Sequence, residues 1–369
     1  MRVLVLNAGS STLKVRLIEV ARAAARPLAA GLFHDLREVP RALFDQAQAV
    51  GDRVVHGGSR FHAPVAIDAD ILGAIDALTE LAPLHNPHSV AVIKQARARL
   101  PAVPMVAVFD TAFHRTLPDH AARYAIQEEL AEKHHIRRYG FHGIAHASML
   151  EAYARAVGKP RTAATIITLQ LGNGCSATAI ARGCSVDTSM GFTPLEGLMM
   201  GTRAGDLDPA LVGYLARRER VAVDQVEHWL NEASRDCSAC PASRTTCVRC
   251  SRARASARAR AEMFCYRVRK YIGAYLAVLE GAEAVIFGGG IGEHASIIRA
   301  RICAGLAWCG LRLDPDRNDA ATAVLPGEVA EISLSGAPLK AYVAGVDEET
   351  QIAIATAQLI ETRNSDASL

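Results

Sequence analysis

One pattern occurs twice in this chain, and it limits the folds available. Residues 2–20, RVLVLNAGSSTLKVRLIEV, give an apolar strand over 3–6, a turn of small residues over 8–12 and a second strand over 13–20. Residues 165–180, TIITLQLGNGCSATAI, repeat it. Ile166, Ile167, Leu169 and Leu171 suit a buried strand, and 177–180 suit another. Between them Gly172, Asn173 and Gly174 allow positive φ, so that the backbone turns tightly with its amides exposed. Two strand–turn–strand units, one near the start of each half, predict an internally duplicated α/β protein. At 369 residues the chain exceeds one ordinary core, so two domains are expected, and 50% apolar residues supply the aliphatic cores.

Turns of this kind hold phosphate through backbone N–H groups and small hydroxyls. The first turn carries Ser10, Ser11 and Thr12, and Asn7 and Lys14 add a carboxamide and a cation. The loop after the second unit, DTSMGFTPLEGLMMGTRAGDLDP over 187–209, is rich in Gly, Thr, Asp and Pro, yet Met199 and Met200 lie beside Arg203. A loop of that composition is expected to pack at a cleft, where an arginine among glycines suits an anion. The plainer reading is a hairpin with a long connection.

RVVHGG, over 53–58, ends a short strand in a glycine turn, which puts Arg53 and His56 where α/β proteins place ligands. A buried strand over 103–109 leaves Asp110 at its C-terminal end, where the commoner role is a helix N-cap. Helices are expected over 67–81, with Ile71, Leu72, Ile75 and Leu78 inward, and over 89–100 after a rigid turn at 83–88. Others are expected over 145–156, 263–279 and 347–360. Residues 21–50 read as strand ends and a short helix. AVIFGGGIGEH reads as strand, glycine turn and helix start, bringing backbone toward a phosphate or nucleotide without being a Walker loop or a dinucleotide fingerprint. A last strand over 341–346 would leave Glu348 at its end.

His142 and His146 are four apart, but no third ligand follows at a suitable spacing, which weighs against a metal pair. No apolar run reaches membrane-span length and Met1 leads straight into a strand, so the expected location is the cytoplasm and no membrane partner is expected. A net charge of +3 argues neither for nor against nucleic acid. The arginine run over 235–269 reads as a solvated helix face, without aromatic interleaving before Phe264 and Tyr266, so no nucleic-acid partner is expected. Nine cysteines in such a chain are thiols or metal ligands rather than disulfides. Cys237, Cys240, Cys247 and Cys250 form two C-x₂-C pairs whose spacing is compatible with one zinc ion.

Taken together these residues resemble the acetate kinase family, within the superfamily of acetate and sugar kinases, heat-shock ATPases and actin. NAGSSTLK, RVVHGG, PLHNP, FDTAFH, YGFHG, LGNG, the long loop with its GTR, YRVRKYIGAY and GGIGE match in family order across nearly the whole chain. The resemblance implies an α/β fold of duplicated RNase H-like (actin-like ATPase) type. It implies two domains, 1–109 plus 350–369 and 110–349, with the active site in the cleft. It further implies reversible phosphoryl transfer from Mg-ATP to acetate, giving acetyl phosphate and ADP, in a homodimer.

Carried over by position, the resemblance assigns Asn7, Asp110 and Glu348 to Mg²⁺ (or Mn²⁺). Lys14 with Ser10, Ser11 and Thr12 would meet phosphate, as would Gln170, Leu171, Gly172, Asn173 and Gly174. Gly289, Gly290, Ile291, Gly292 and Glu293 would meet the nucleoside. Arg53 would hold the acetate carboxylate, Arg203 the transferring phosphoryl group, and His142 would donate to that group with His85 in support. Asp110 need not act as a base, because acetate is already ionised. Val55, Leu84, Phe141 and Pro194 match the family's pocket for the methyl group, although composition alone reads them as core.

Two departures stand out. Gln170 replaces the family's histidine, and the Asp-x-Arg element that contacts the nucleoside is replaced by CSACPASRTTCVRCSRARASARAR. No carboxylate lies between Asp236 and Glu262, while Arg249 matches the arginine. The family needs no zinc there, and a divergent Cys/Arg-rich segment gives the C-x₂-C pattern by chance. The alternatives are a propionate or butyrate kinase with the same machinery, or a nucleotide-binding homologue with impaired activity. Retention of Asn7, Arg53, Asp110, His142, Arg203 and Glu348 favours the enzyme.

Overall fold

The computed structural model describes residues 1–9, 12–21, 24–82, 86–233 and 248–366. Within them two six-stranded sheets form. The first contains β1 (Arg2–Ala8), β2 (Leu13–Ala21), β3 (Ala24–Phe33), β4 (Ala49–Val54), β5 (Val65–Ala66) and β6 (Met105–Phe109), in the order β3-β2-β1-β4-β6-β5. The second contains β7 (Ile166–Leu171), β8 (Cys175–Ala181), β9 (Cys184–Thr188), β10 (Ala284–Gly288), β11 (Val329–Glu331) and β12 (Lys340–Ala344), in the order β11-β12-β10-β7-β8-β9. Read from β9, the second sheet repeats the first pair by pair. Two antiparallel pairs are followed by two parallel pairs and one antiparallel edge pair. Even the irregularity recurs, at Leu17/Ile18 in one sheet and at Ala179/Ile180 in the other.

The chain divides into two compact units, Met1–Arg115 with Phe141–Ser148 and Asp347–Leu369, and Thr116–Gly140 with Met149–Val346. In the first, β1 is apolar on both faces because both are covered, as parallel strands require. Leu4 and Leu6 join Val50, Val54, Ala107 and Phe109 under the helix Asn86–Arg99. Val3 and Val5 join Val106 and Val108 under Ile352, Ala353 and Ala357 of the helix Glu348–Asp366. On the helix Ala69–Ala77, Ile75 is fully buried, and Ile71, Leu72 and Leu78 pack against the same core as expected. In the second unit Phe264, Val268 and Ile272 of the helix Val248–Val278 are buried.

Several expected boundaries differ. Residues 24–33, read as strand ends, form a full edge strand, held by its pairing to β2 rather than by its weak Ala/Arg pattern. The helix expected from 89 begins at Asn86, whose side chain is buried. The helix expected over 263–279 begins already at Val248, and the closing helix runs to Asp366. β12 ends at Ala344 rather than 346. The GGGIGEH stretch has no separate turn: the short helix Gly289–His294 follows β10 directly.

Candidate active site

In the first unit β1, β4 and β6 are adjacent and parallel, so their C-terminal ends share one edge of the sheet. Asn7 lies one residue from the end of β1, Arg53 one residue from the end of β4, and Asp110 follows β6. Glu348 opens the final helix. These four side chains are joined. Arg53 grips Asp110 with both arms of its fork, Nη2 to Oδ2 at 2.6 Å and Nε to Oδ1 at 3.2 Å. Its Nη1 donates to Asn7 Oδ1 at 3.2 Å. Asn7 Nδ2 donates to Glu348 Oε2 and to Glu349 Oε1, each at 2.8 Å. Arg16 closes the cluster, 2.9 Å from Asp347 and 3.7 Å from Glu349.

Burial sets the electrostatics here. Asp110 is 1% exposed, which pushes its carboxyl up, while the Arg53 charge and the backbone N–H of His142 pull against that push. Burial also opposes charge on Glu348, but Arg53 and the Asn7 amide outweigh it and hold that carboxyl below its usual range. Burial works against the Arg53 cation, and the carboxylates of Asp110, Glu348 and Glu349 more than compensate, raising its pKa. The exposed Lys14, next in register to Asn7, adds to the field on Glu348. Thr12 accepts the N–H of Gly9 through its carbonyl. Ser10 and Ser11 lie outside the described residues, as do Leu84 and His85.

His142 sits at the head of the helix Gly143–Ala156 with a left-handed backbone, φ +56°. Phe141 and Val55 are both buried, and the Phe141 ring meets His56 edge-on at 5.4 Å. His146, the other half of the i,i+4 pair, is fully buried, and burial drives it toward the neutral form, with His114 and His142 adding to the effect.

In the second unit the ends of β7 and β10 also share an edge, and Gly288 stands in register with Gln170. That brings the turn at 172–174 beside the helix start at Gly289, where a Cβ would lie 2.7 Å from the Leu171 carbonyl and 3.0 Å from Gln170 Nε2. Contrary to expectation, neither Gly172 nor Gly174 has a positive φ. The Gly172 N–H bonds to the Gly174 carbonyl at 3.0 Å and the Cys175 thiol reaches the Gly172 carbonyl at 3.2 Å, which closes the turn without a left-handed residue. Gln170 Oε1 is buried and meets no donor among the described residues. Glu293 Oε1 accepts the N–H of Gly289 at 3.0 Å, capping its own short helix and fixing the Gly290, Ile291 and Gly292 backbone.

The long loop is packed, as its methionines and leucines imply: Met190, Leu198 and Met200 are buried. Glu196 takes bonds from Arg138 at 2.6 Å and from Tyr124, and Asp206 takes the Tyr271 hydroxyl at 2.7 Å while receiving the N–H of Gly197. Gly201 donates to the Asn173 carbonyl at 2.9 Å, so the GTR tripeptide is tied to the LGNG turn. Arg203 Nη1 reaches the Pro194 carbonyl at 3.4 Å and the Met200 sulfur at 3.9 Å. Burial, only partly offset by Cys175, lowers its pKa. Of Arg249 and Cys250 only the backbone is described, in the helix Val248–Val278, and Cys237, Cys240 and Cys247 lie outside the described residues.

Glu349 and Asn86 take part without having been singled out in the sequence. Glu349 repeats the acidic type of its neighbour, and its burial, its hydrogen bond to Asn7 and its closeness to Arg16 separate it from a surface carboxylate. Asn86 brackets the His56 backbone, accepting its N–H at 3.1 Å and donating to its carbonyl at 3.2 Å. The asparagine in PLHNP was the available signal. The carboxylates of Asp110 and Glu348 with the Asn7 carboxamide form an all-oxygen donor set, which fits a hard divalent cation that keeps waters. Among the described residues no group of three or more His, Cys, Asp or Glu side chains forms a metal cage, and no helix is long and apolar enough to cross a membrane.

Residues 32–354 match the model of the acetokinase family. The acetate kinase of Chloroherpeton thalassium is 46% identical over 314 residues, 84% of this chain and 75% of that protein. The crystal structure of Porphyromonas gingivalis acetate kinase superposes with a TM-score of 0.84 at 30% identity, over 97% of this chain and 99% of that one. A propionate kinase from Francisella tularensis superposes with a TM-score of 0.83 at 34% identity, over the same shares. With a duplicated sheet topology, a part-buried Asn–Arg–Asp–Glu cluster at one sheet edge and these relatives, the chain belongs to the acetokinase family.

Proposed function

We propose that this protein is an acetate kinase, catalysing reversible phosphoryl transfer between Mg-ATP and acetate to give acetyl phosphate and ADP. The observation that supports this best is the part-buried fork of Arg53 on Asp110 beside Asn7 and Glu348, a cluster of fixed charge without a general base. Acetate arrives ionised, so phosphoryl transfer to it asks for positioning and charge neutralisation rather than proton removal. Arg53 orients the acetate carboxylate with the N–H groups left over from Asp110 and Asn7. His142 donates to the transferred group, and Arg203 meets the charge that develops on it. Asn7, Asp110 and Glu348 would hold Mg²⁺ or Mn²⁺, directly or through water, which supplies neutralisation of the phosphate oxygens when bound.

Lys14 and the turn at 10–12 take phosphate, together with the segment 170–174. The helix start at 289–293 takes the nucleoside, with Arg249 as a further contact. Val55 and Phe141, with Leu84 and Pro194, line the space for the methyl group. The protein acts in the cytoplasm as a homodimer. A propionate kinase is the second reading, supported by the Francisella relative, since one methylene in an apolar pocket shifts specificity by only about 1–3 kcal/mol. Trapping acyl phosphate as the hydroxamate, with ATP, Mg²⁺ and either acetate or propionate, tests both. Acetyl hydroxamate in excess over propionyl at equal acid concentration is expected; a propionate excess selects the second reading, and no product from either acid overturns the proposal.

A further inference from the structure

His114 lies four residues beyond Asp110 and is 1% exposed. Its Nε2 is 3.0 Å from the Phe141 carbonyl, across 27 residues of sequence. A carbonyl oxygen only accepts, so Nε2 carries the proton, and burial, which lowers the ring's pKa, favours its neutral form. The peptide it holds is a particular one. The Phe141 carbonyl and the His142 N–H belong to the same planar unit, and that N–H is bonded to the Asp110 carboxylate. The next residue has no room to move either: a Cβ on Gly143 would stand 2.0 Å from the Asp110 carbonyl oxygen. His142 meanwhile keeps a left-handed φ of +56°, a conformation that persists only where its surroundings enforce it.

We infer that His114 is a positioning residue for the phosphoryl-transfer site: by holding one face of the Phe141–His142 peptide it aims the opposite N–H at Asp110 and sets the height of the His142 ring. A histidine that merely fills space would need no donor at Nε2. Here the donor is spent on the carbonyl whose peptide joins two site residues, and the rings of Phe113 and His146, 5.5 and 5.8 Å away, keep the imidazole from turning. Without that bond the peptide keeps only its N–H side anchored, and the tilt this allows disturbs Asp110 and His142 together. Shifts of an ångström in such groups cost on the order of a hundredfold in rate.

The inference rests on the acetate kinase reading, and the test separates the two. The full-length protein, His114→Phe, His114→Gln and His114→Asn are compared by steady-state kinetics with acetate and Mg-ATP, alongside thermal unfolding. Gln carries its amide nitrogen at the reach of Nε2, whereas Asn stops short of it. The Phe and Asn variants are expected to lose at least about tenfold in kcat, with the KM for acetate and ATP within about threefold, and Gln to stay within about fivefold of the parent. A Phe variant with parental kcat overturns the inference. So does a Gln variant as impaired as Asn, which would mark a packing role and which decides the matter even if the Phe variant does not fold. A parent chain without activity overturns the acetate kinase reading instead.

Discussion

Asn7 shows how one amide orients a whole cluster. Its Nδ2 donates to two side-chain carboxyl oxygens, on Glu348 and on Glu349. The carbonyl end is thereby forced toward Arg53, whose remaining donors then close on Asp110. Arg203 differs: its Nη1 lies 3.4 Å from the Pro194 carbonyl and 3.9 Å from the Met200 sulfur, and burial works against its charge. A cation held that way is poised for charge that appears during transfer, so its removal should act on the transition state. Arg203→Ala is expected to lower kcat about 10²–10³-fold while the acetate KM changes little, the pattern for an interaction made only in transfer. Initial rates across acetate concentrations at saturating Mg-ATP would check this, and a near-parental kcat would remove Arg203 from the mechanism.

Among the elements, the start of the helix Gly143–Ala156 is the tightest joint. Gly143 packs backbone to backbone on Asp110, and a Cβ there would also stand 2.7 Å from Phe113 Cβ. No flexible side-chain tip is available to yield, so the 3₁₀ segment Asp110–Thr116 would have to move. Gly143→Ala is therefore expected to cost about 1–3 kcal/mol of stability, the range for overpacking, and to lower kcat more than tenfold because Asp110 moves with its backbone. Urea unfolding paired with initial rates decides between this and a benign substitution, which would leave both unchanged. The short helix Gly289–His294 makes the opposite point. Six residues hold little helix by propensity, and the Glu293 carboxylate on the Gly289 N–H supplies what the length lacks.

At the scale of the whole molecule, two buried groups give the stability a predictable pH dependence. Asp52 on β4 is 1% exposed and neither of its oxygens meets a donor among the described residues. Burial pushes its carboxyl up to about 8, against a weak pull from Arg97. A carboxyl raised above its unfolded value contributes stability that is complete below about pH 4 and is lost as pH rises to about 8. His114 runs the other way. Burial lowers it to about 4, so its contribution is complete above pH 6.5 and is lost as pH falls toward 4. Between pH 6.5 and 8 Asp52 alone of the two titrates, at about 1.4 kcal/mol per unit. The parent should thus lose about 2 kcal/mol over that window relative to Asp52→Asn, a neutral residue of nearly the same shape. Unfolding by guanidinium chloride at the two pH values gives the difference directly; equal losses in both proteins would place a counter-charge on Asp52.

By itself the sequence determined the local and repeating features. The two strand–turn–strand units emerged from alternation and small-residue turns, and they became two sheets with the same pairing order. Arg53 and Asp110 were legible as strand-end residues because buried strands announce their ends in apolar runs. β3 was not legible, since an edge strand needs pairing from one side only and its Ala/Arg composition carries little pattern. Neither was the closed geometry of the turn at 172–174, where hydrogen bonds rather than glycine freedom set the backbone. Glu349, Asn86 and His114 acquire their places only through partners 342, 30 and 27 residues away. Such bonds depend on which strand ends share an edge, a property of parallel order in the sheet, and no spacing along the chain encodes it.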